Sequence, residues 1–161
     1  LDLGRRRNQV AHWLAELDGR RVAVEAPASS ANLGAGYDCL GVALALTNRI
    51  EVEVRGWSRG EIELTVDGEG KGELTADRDN RFVQGLEAAL EEVRGPLPEG
   101  VGWRIEMQNR IPLARGLGSS AAATVAGIVA ASGQWQSALV VTASASAVGI
   151  VLGLLVARSG K

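Results

Sequence analysis

The chain has 161 residues, enough for one domain with a real core, and a formal net charge of −2. So small a charge gives no electrostatic case for nucleic acid or another polyanion as partner. One cysteine, Cys39, excludes an internal disulfide framework, and one histidine, His12, excludes a histidine metal cluster and argues against a serine–histidine–acid triad.

In chain order, residues 5–17 predict a short amphipathic helix with Val10, Trp13 and Leu14 on one face. Gly19 and the arginines after it close that helix, and Arg5-Arg6-Arg7 reads as its solvated start. The opening residues lack the basic-then-apolar pattern of a signal peptide, so a cytoplasmic location is expected. The apolar run Val22 to Val24 predicts a strand, and Pro27, which has no N–H, is expected to end its regular pairing. Small residues with Gly34 and Gly36 then let a loop close on a ligand, and Asn32 and Asp38 stand out as its polar handles. Strict alternation at Ile50, Val52 and Val54, at Ile62, Leu64 and Val66, and at Val101, Trp103, Ile105 and Met107 predicts half-buried strands. Between the last two, Val83, Leu86, Leu90 and Val93 recur at helical spacing, with Glu87, Glu91 and Glu92 on the wetter side. Asp77 or Asn80 is placed to cap that helix, and Pro96 and Pro98 close the connection after it. Glu51, Glu53 and Glu63 read as wet strand-face residues. The expected architecture is α+β: helices covering a mixed, largely antiparallel sheet.

The stretch from Ile111 to Ala122, I-P-L-A-R-G-L-G-S-S-A-A, follows a strand pattern and opens a helical one. Unpaired N–H groups at a helix start, at the positive end of the helix dipole, suit phosphate oxygens. A Walker A loop would place a lysine before the hydroxyl, and this loop has no lysine. A dinucleotide fingerprint would need a third glycine where Ala121 stands. The plain alternative is a glycine- and serine-rich helix start that binds nothing.

The two segments together resemble the small-molecule kinase superfamily of galactokinase, homoserine kinase and mevalonate kinase. The form P-A-S-S-A-N-L-G-A-G-Y-D, Pro27 to Asp38, is similar to the first motif of the homoserine kinase family, and Pro112 to Ala121 resembles the second, phosphate-binding motif. The resemblance runs from about Arg21 to Ala131. It implies an N-terminal kinase domain over residues 21–131, with residues 1–20 an extension forming a helix. It also implies ATP-dependent phosphorylation of L-homoserine to O-phospho-L-homoserine, a step of threonine biosynthesis, with ATP and Mg2+. By this resemblance Asn32 and Asp38 meet the amino-acid substrate. Pro112, Leu113, Ala114, Arg115, Gly116, Leu117, Gly118, Ser119, Ser120, Ala121 and Ala122 wrap the ATP phosphates. Asn80 lies near the nucleotide base, and Ser120 supplies a hydroxyl to the metal. Each has a plainer reading: Asn32 and Asp38 as turn residues bonding their own backbone, Asn80 as a helix cap, Arg115 as a solvated loop charge.

Residues 132–161 form an apolar tail that departs from the family. No residue from Gly116 to Ala157 is charged, and the run Ala138 to Ala157 is long enough to span a membrane, although its serines, threonine and glycines favour a buried or poorly folded tail. A natural end, a gene fragment and a shifted reading frame are all compatible with it. The family's metal-ligand glutamate and second domain have no counterpart here, so impaired catalysis is expected of these residues alone. The alternatives are a non-catalytic nucleotide-binding or interaction module and a membrane-tethered remnant; a homodimer is left open.

Overall fold

The computed structural model describes residues 16–31, 41–56, 59–132, 139–140, 142–146 and 149–153. Strands β1 (Arg21–Ala31), β2 (Gly41–Arg55) and β3 (Ile62–Gly68) lead to helix α1 (Arg81–Arg94). Strand β4 (Gly102–Asn109) and helix α2 (Ser119–Ala131) follow, and then three short strands, β5 (Leu139–Val140), β6 (Thr142–Ser146) and β7 (Gly149–Gly153).

The main sheet has the order β3-β4-β2-β1-β5, and β6 and β7 form a separate antiparallel ribbon. The pairings β1–β2 and β2–β4 are antiparallel, while β3–β4 and β1–β5 are parallel. The parallel β3–β4 pair follows from the helix between them, because a crossover returns the chain in the same direction. The alternating residues commit one face of the sheet to the core. Ile50, Val52, Val54, Trp103, Ile105 and Met107 are all buried.

Helices α1 and α2 cover that face. Phe82, Val83, Leu86 and Leu90 of α1 are buried, each contributing about 1.5–3 kcal/mol as an apolar side chain removed from water. Val93, expected on the same face, is 69% exposed, since it lies in the last turn beyond the sheet's cover. The two helices touch backbone to backbone. A Cβ on Gly85 would collide with the Thr124 carbonyl, and one on Gly127 with the Phe82 carbonyl and the Leu86 amide. Helix α2 has no charged residue and buries Ala122, Val125, Ala126, Gly127, Val129, Ala130 and Ala131, as a helix apolar nearly all round must.

The other face of the sheet is a lattice of ion pairs. Arg49 meets Glu25 at 3.2 Å, and Arg104 meets Glu63 at 2.7 Å. Glu53, expected to be wet, is buried instead, because Arg21, Arg55 and Arg104 from three strands close over it. Its Oε1 accepts from Arg55 at 3.1 Å, whereas Oε2 lies 2.8 Å from Arg21 as a charge contact without hydrogen-bond alignment. The hydrogen bond from Arg104 holds the Glu63 carboxyl below its ordinary value of 4.5.

Pairing of β1 does not stop at Pro27. The proline sits opposite Thr47, and the register then shifts before resuming at Ser29–Ala43, continuing to Ala31. A β-bulge absorbs the irregularity, so the strand bends but keeps its partner. At the N-terminal side, Glu16 and Leu17 are helical, Leu17 is buried, and Gly19 ends the turn at φ +73. The rest of the helix predicted over 5–17, with Val10, His12 and Trp13, lies outside the described residues, as does Cys39. Among the described residues no helix is long and apolar enough to cross a membrane. The described part of the run Ala138 to Ala157 is strand.

Candidate phosphate-binding site

The segment between β4 and α2 is fixed at both ends. Where β4 stops, the side chain of Asn48 on β2 takes over: its Oδ1 accepts the N–H groups of Arg110 and Ile111 at 2.8 and 2.9 Å. Ile111 is then fully buried, which commits the segment's first residues to the core. At the far end the Ser29 N–H of β1 donates to the Leu117 carbonyl at 3.0 Å. Gly118 follows at φ +69, and a Cβ there would stand 2.5 Å from Ser29 Oγ. Between the clamps, Ala114 and Gly116 also take positive φ, 54 and 71. Gly116 faces open space, so it is required for its backbone angle alone. The close neighbour of the Gly118 backbone is β1, at Ser29.

Helix α2 starts directly after this loop. Its N-cap is Gly118, which offers no side-chain acceptor, and the first helical bond runs from Ala122 N–H to Gly118 O at 2.8 Å. The N–H groups of Ser119, Ser120 and Ala121 precede that bond, so the helix itself gives them no acceptor. The helix dipole adds partial positive charge at the same point.

A cavity of about 180 Å³ opens beside this helix start. Its lining includes Leu113, Ser119 and Ser120 from the loop and α2, Thr75, Asp79 and Asn80 from the approach to α1, and Asn48, Met107 and Asn109 from β2 and β4. It is smaller than the roughly 300–1,000 Å³ of a complete small-molecule site, so it suits one part of a ligand. Asn80 is the N-cap of α1: its Oδ1 accepts from Phe82 N–H at 3.0 Å and its Nδ2 donates to the Thr75 carbonyl at 3.3 Å. Asn80 is thus a helix cap, as its plainer reading has it, and it also lines the cavity. Asn109 donates to the Glu69 carbonyl at 3.1 Å, and its buried Oδ1 has no partner.

Of the residues the sequence nominates, Leu113, Ser119, Ser120 and Asn80 share the cavity. Pro112, Ala114, Arg115, Gly116, Leu117 and Gly118 build the loop beside it, with Arg115 exposed. Ala121 is exposed on the first turn of α2, and Ala122 points into the core. Asn32 and Asp38 lie outside the described residues. Sequence reasoning misses Asn48, Ser29 and Asn109, and also the carboxylates Glu73 and Asp79, which line the same cavity. Among the described residues no cluster of three acidic, histidine or cysteine side chains is placed to hold a metal.

Known proteins are similar to this chain in sequence and fold. Residues 80–153 match the model of the GHMP kinases N terminal domain. The homoserine kinase of Corynebacterium diphtheriae is 48% identical over 115 residues, 71% of this chain and 35% of that protein. The homoserine kinase of Corynebacterium glutamicum is 45% identical over the same share of each. The crystal structure of homoserine kinase from Cytophaga hutchinsonii superposes with a TM-score of 0.55 at 32% identity, covering 69% of this chain and 34% of that one. The chain thus spans about a third of the length of the curated relatives it matches. Residues 80–153, which hold the loop and helix α2, are thus similar to the N-terminal domain of the GHMP kinases, and sequence and fold are both similar to homoserine kinases.

Proposed function

We propose that this domain binds the phosphates of ATP at the start of α2, for transfer of the γ-phosphoryl group to the side-chain hydroxyl of L-homoserine. The observation that carries the reading is the uncapped start of α2, held by a loop clamped at both ends and opening on a cavity. Phosphoryl transfer needs positioning and charge neutralisation more than covalent help from the protein, and oriented backbone N–H groups supply both. The acceptor is read from the homoserine kinases that share up to 48% identity and from the motif carrying Asn32 and Asp38. An amide and a carboxylate there suit the acceptor's hydroxyl and ammonium.

The cavity's oxygen donors include the Ser119 and Ser120 hydroxyls and the Glu73 and Asp79 carboxylates, and the Arg81 guanidinium shares the lining. That set suits a hard cation that arrives with ATP, such as Mg2+, and Ser120 is the protein ligand we favour. Such an ion would supply charge neutralisation to the phosphates.

Calorimetric titration with ATP, ADP, AMP and adenosine tests the site. Affinity is expected to rise with each added phosphate. Equal affinity for adenosine and ATP overturns the phosphate reading. An ADP-release assay offering homoserine, mevalonate and galactose tests the acceptor; faster turnover with either of the other two refutes homoserine.

A further inference from the structure

We propose that Asn48 is the positioning residue of the phosphate loop, setting the loop's geometry before nucleotide arrives; this rests on the nucleotide reading above. Asn48 shares its parity on β2 with Ile50, Val52 and Val54, so it stands on the apolar face and is only 3% exposed. A polar side chain there is costly unless it is hydrogen-bonded. Its bonds go to the loop. The β2–β4 ladder ends at Arg49–Gln108, and β4 keeps only its β3 partner, to Gly68–Asn109, before the loop begins. The Asn48 carboxamide supplies the acceptor that the ladder no longer gives, taking Arg110 and Ile111 N–H together on one oxygen. Those two bonds fix two successive peptide planes and seat Ile111 in the core. The clamp at the other end is made by the Ser29 backbone, so among the described residues Asn48 is the side chain that ties the loop to the sheet by hydrogen bonds. A loop ordered in advance spares the ligand the cost of ordering it, and its N–H groups are aimed before charge arrives.

Asn48 also lines the cavity, so a direct contact with ligand is the competing role. Two substitutions separate the roles. Asn48→Asp keeps an acceptor for both N–H groups but adds negative charge, whereas Asn48→Leu keeps the volume and removes the acceptor. Positioning predicts that Asp binds ATP better than Leu; direct contact or charge alone predicts the reverse.

The experiment titrates ATP and adenosine into the wild-type chain and both variants, with circular dichroism and hydrogen exchange at Arg110 and Ile111. In Asn48→Leu the ATP affinity is expected to fall roughly ten- to a hundredfold, the scale of leaving buried donors unpaired. Adenosine affinity should change less than about threefold, and exchange at both amides should accelerate. If Asn48→Leu does not fold, Asn48→Ser, too short to reach both amides, replaces it with the same expected order. A folded Leu or Ser variant with an unchanged ATP-to-adenosine ratio overturns the inference, as does a variant order with Asp weakest. A wild-type chain that binds neither compound overturns the nucleotide reading and the inference with it.

Discussion

The two helices begin in opposite ways. Helix α1 opens with Asn80, whose side chain occupies the Phe82 N–H and ties back to Thr75, so its N-terminus is closed by the protein itself. Helix α2 opens with a glycine that has no side chain to offer, and its first N–H groups face outward beside the cavity. Both starts border the same space, about 180 Å³. The contrast separates two uses of one structural unit. A capped start contributes stability, typically about 1 kcal/mol; an uncapped start forgoes that contribution and leaves donors for an anion.

The most disruptive way to break the contrast is Gly118→Val. Valine would meet Ser29 Oγ and the Ser29 carbonyl, and would hold a β-branched residue at φ +69. Left-handed strain of about 1–2 kcal/mol and overpacking of about 1–3 kcal/mol together predict a loss of roughly 2–5 kcal/mol. Urea unfolding measures it. The variant is therefore a test of the loop's seat on β1 rather than of phosphate contact. A loss below about 1 kcal/mol would show that the seat is soft.

Next come alanine substitutions at the two helix starts. Asn80→Ala removes a cap from a closed start and is expected to cost about 0.5–2 kcal/mol, with a smaller loss of ATP affinity than Ser120→Ala gives. Ser120→Ala removes an exposed hydroxyl from an open start, so stability should stay within about 0.5 kcal/mol while affinity for ATP with Mg2+ falls. Urea unfolding and calorimetry on the same samples give both readouts. If Asn80→Ala weakens ATP more than Ser120→Ala does, the assignment of the two starts is reversed.

Much of this was legible in the sequence, and the limits have physical causes. Alternation located β2, β3 and β4 because one face of each strand packs on the core, fully in β2 and β4 and half-buried in β3. The 3.6 period located α1, and the G-L-G-S-S run located the start of α2. The parallel partner of β4 was not legible, since period 2 reports burial and not direction. Nor was the burial of Glu53, which depends on three arginines drawn from different strands. Asn48 and Asn109 did leave a signal. Each continues the core-facing parity of its strand, Asn48 with Ile50 and Val52, Asn109 with Ile105 and Met107. An amide in an apolar phase is a polar group that needs a partner. At Asn48 the partner is the phosphate loop, 62 and 63 residues further along the chain.

The smallest expected effect comes from a region remote from both helix starts and calibrates them. Glu63 and Arg104 pair across β3 and β4 on the outer face at 2.7 Å, with side chains 51% and 36% exposed. The hydrogen bond from Arg104 lowers the Glu63 carboxyl below 4.5 in the folded chain. A carboxyl lowered on folding contributes stability that is fully present above its unfolded value and is lost as pH falls through the folded one. Glu63→Gln should therefore leave the thermal midpoint nearly unchanged in acid, where the pair is already broken. Above pH 4.5 it should lower the midpoint slightly, and less in high salt, because water and ions screen so exposed a pair. The measurement is a thermal melt across pH at two salt concentrations, with ATP titration beside it. Nucleotide affinity is expected to be the same as wild type. A change in affinity would mean that the charged face of the sheet communicates with the loop through Glu53 and β2, and the two helix starts would no longer be the only regions that decide binding.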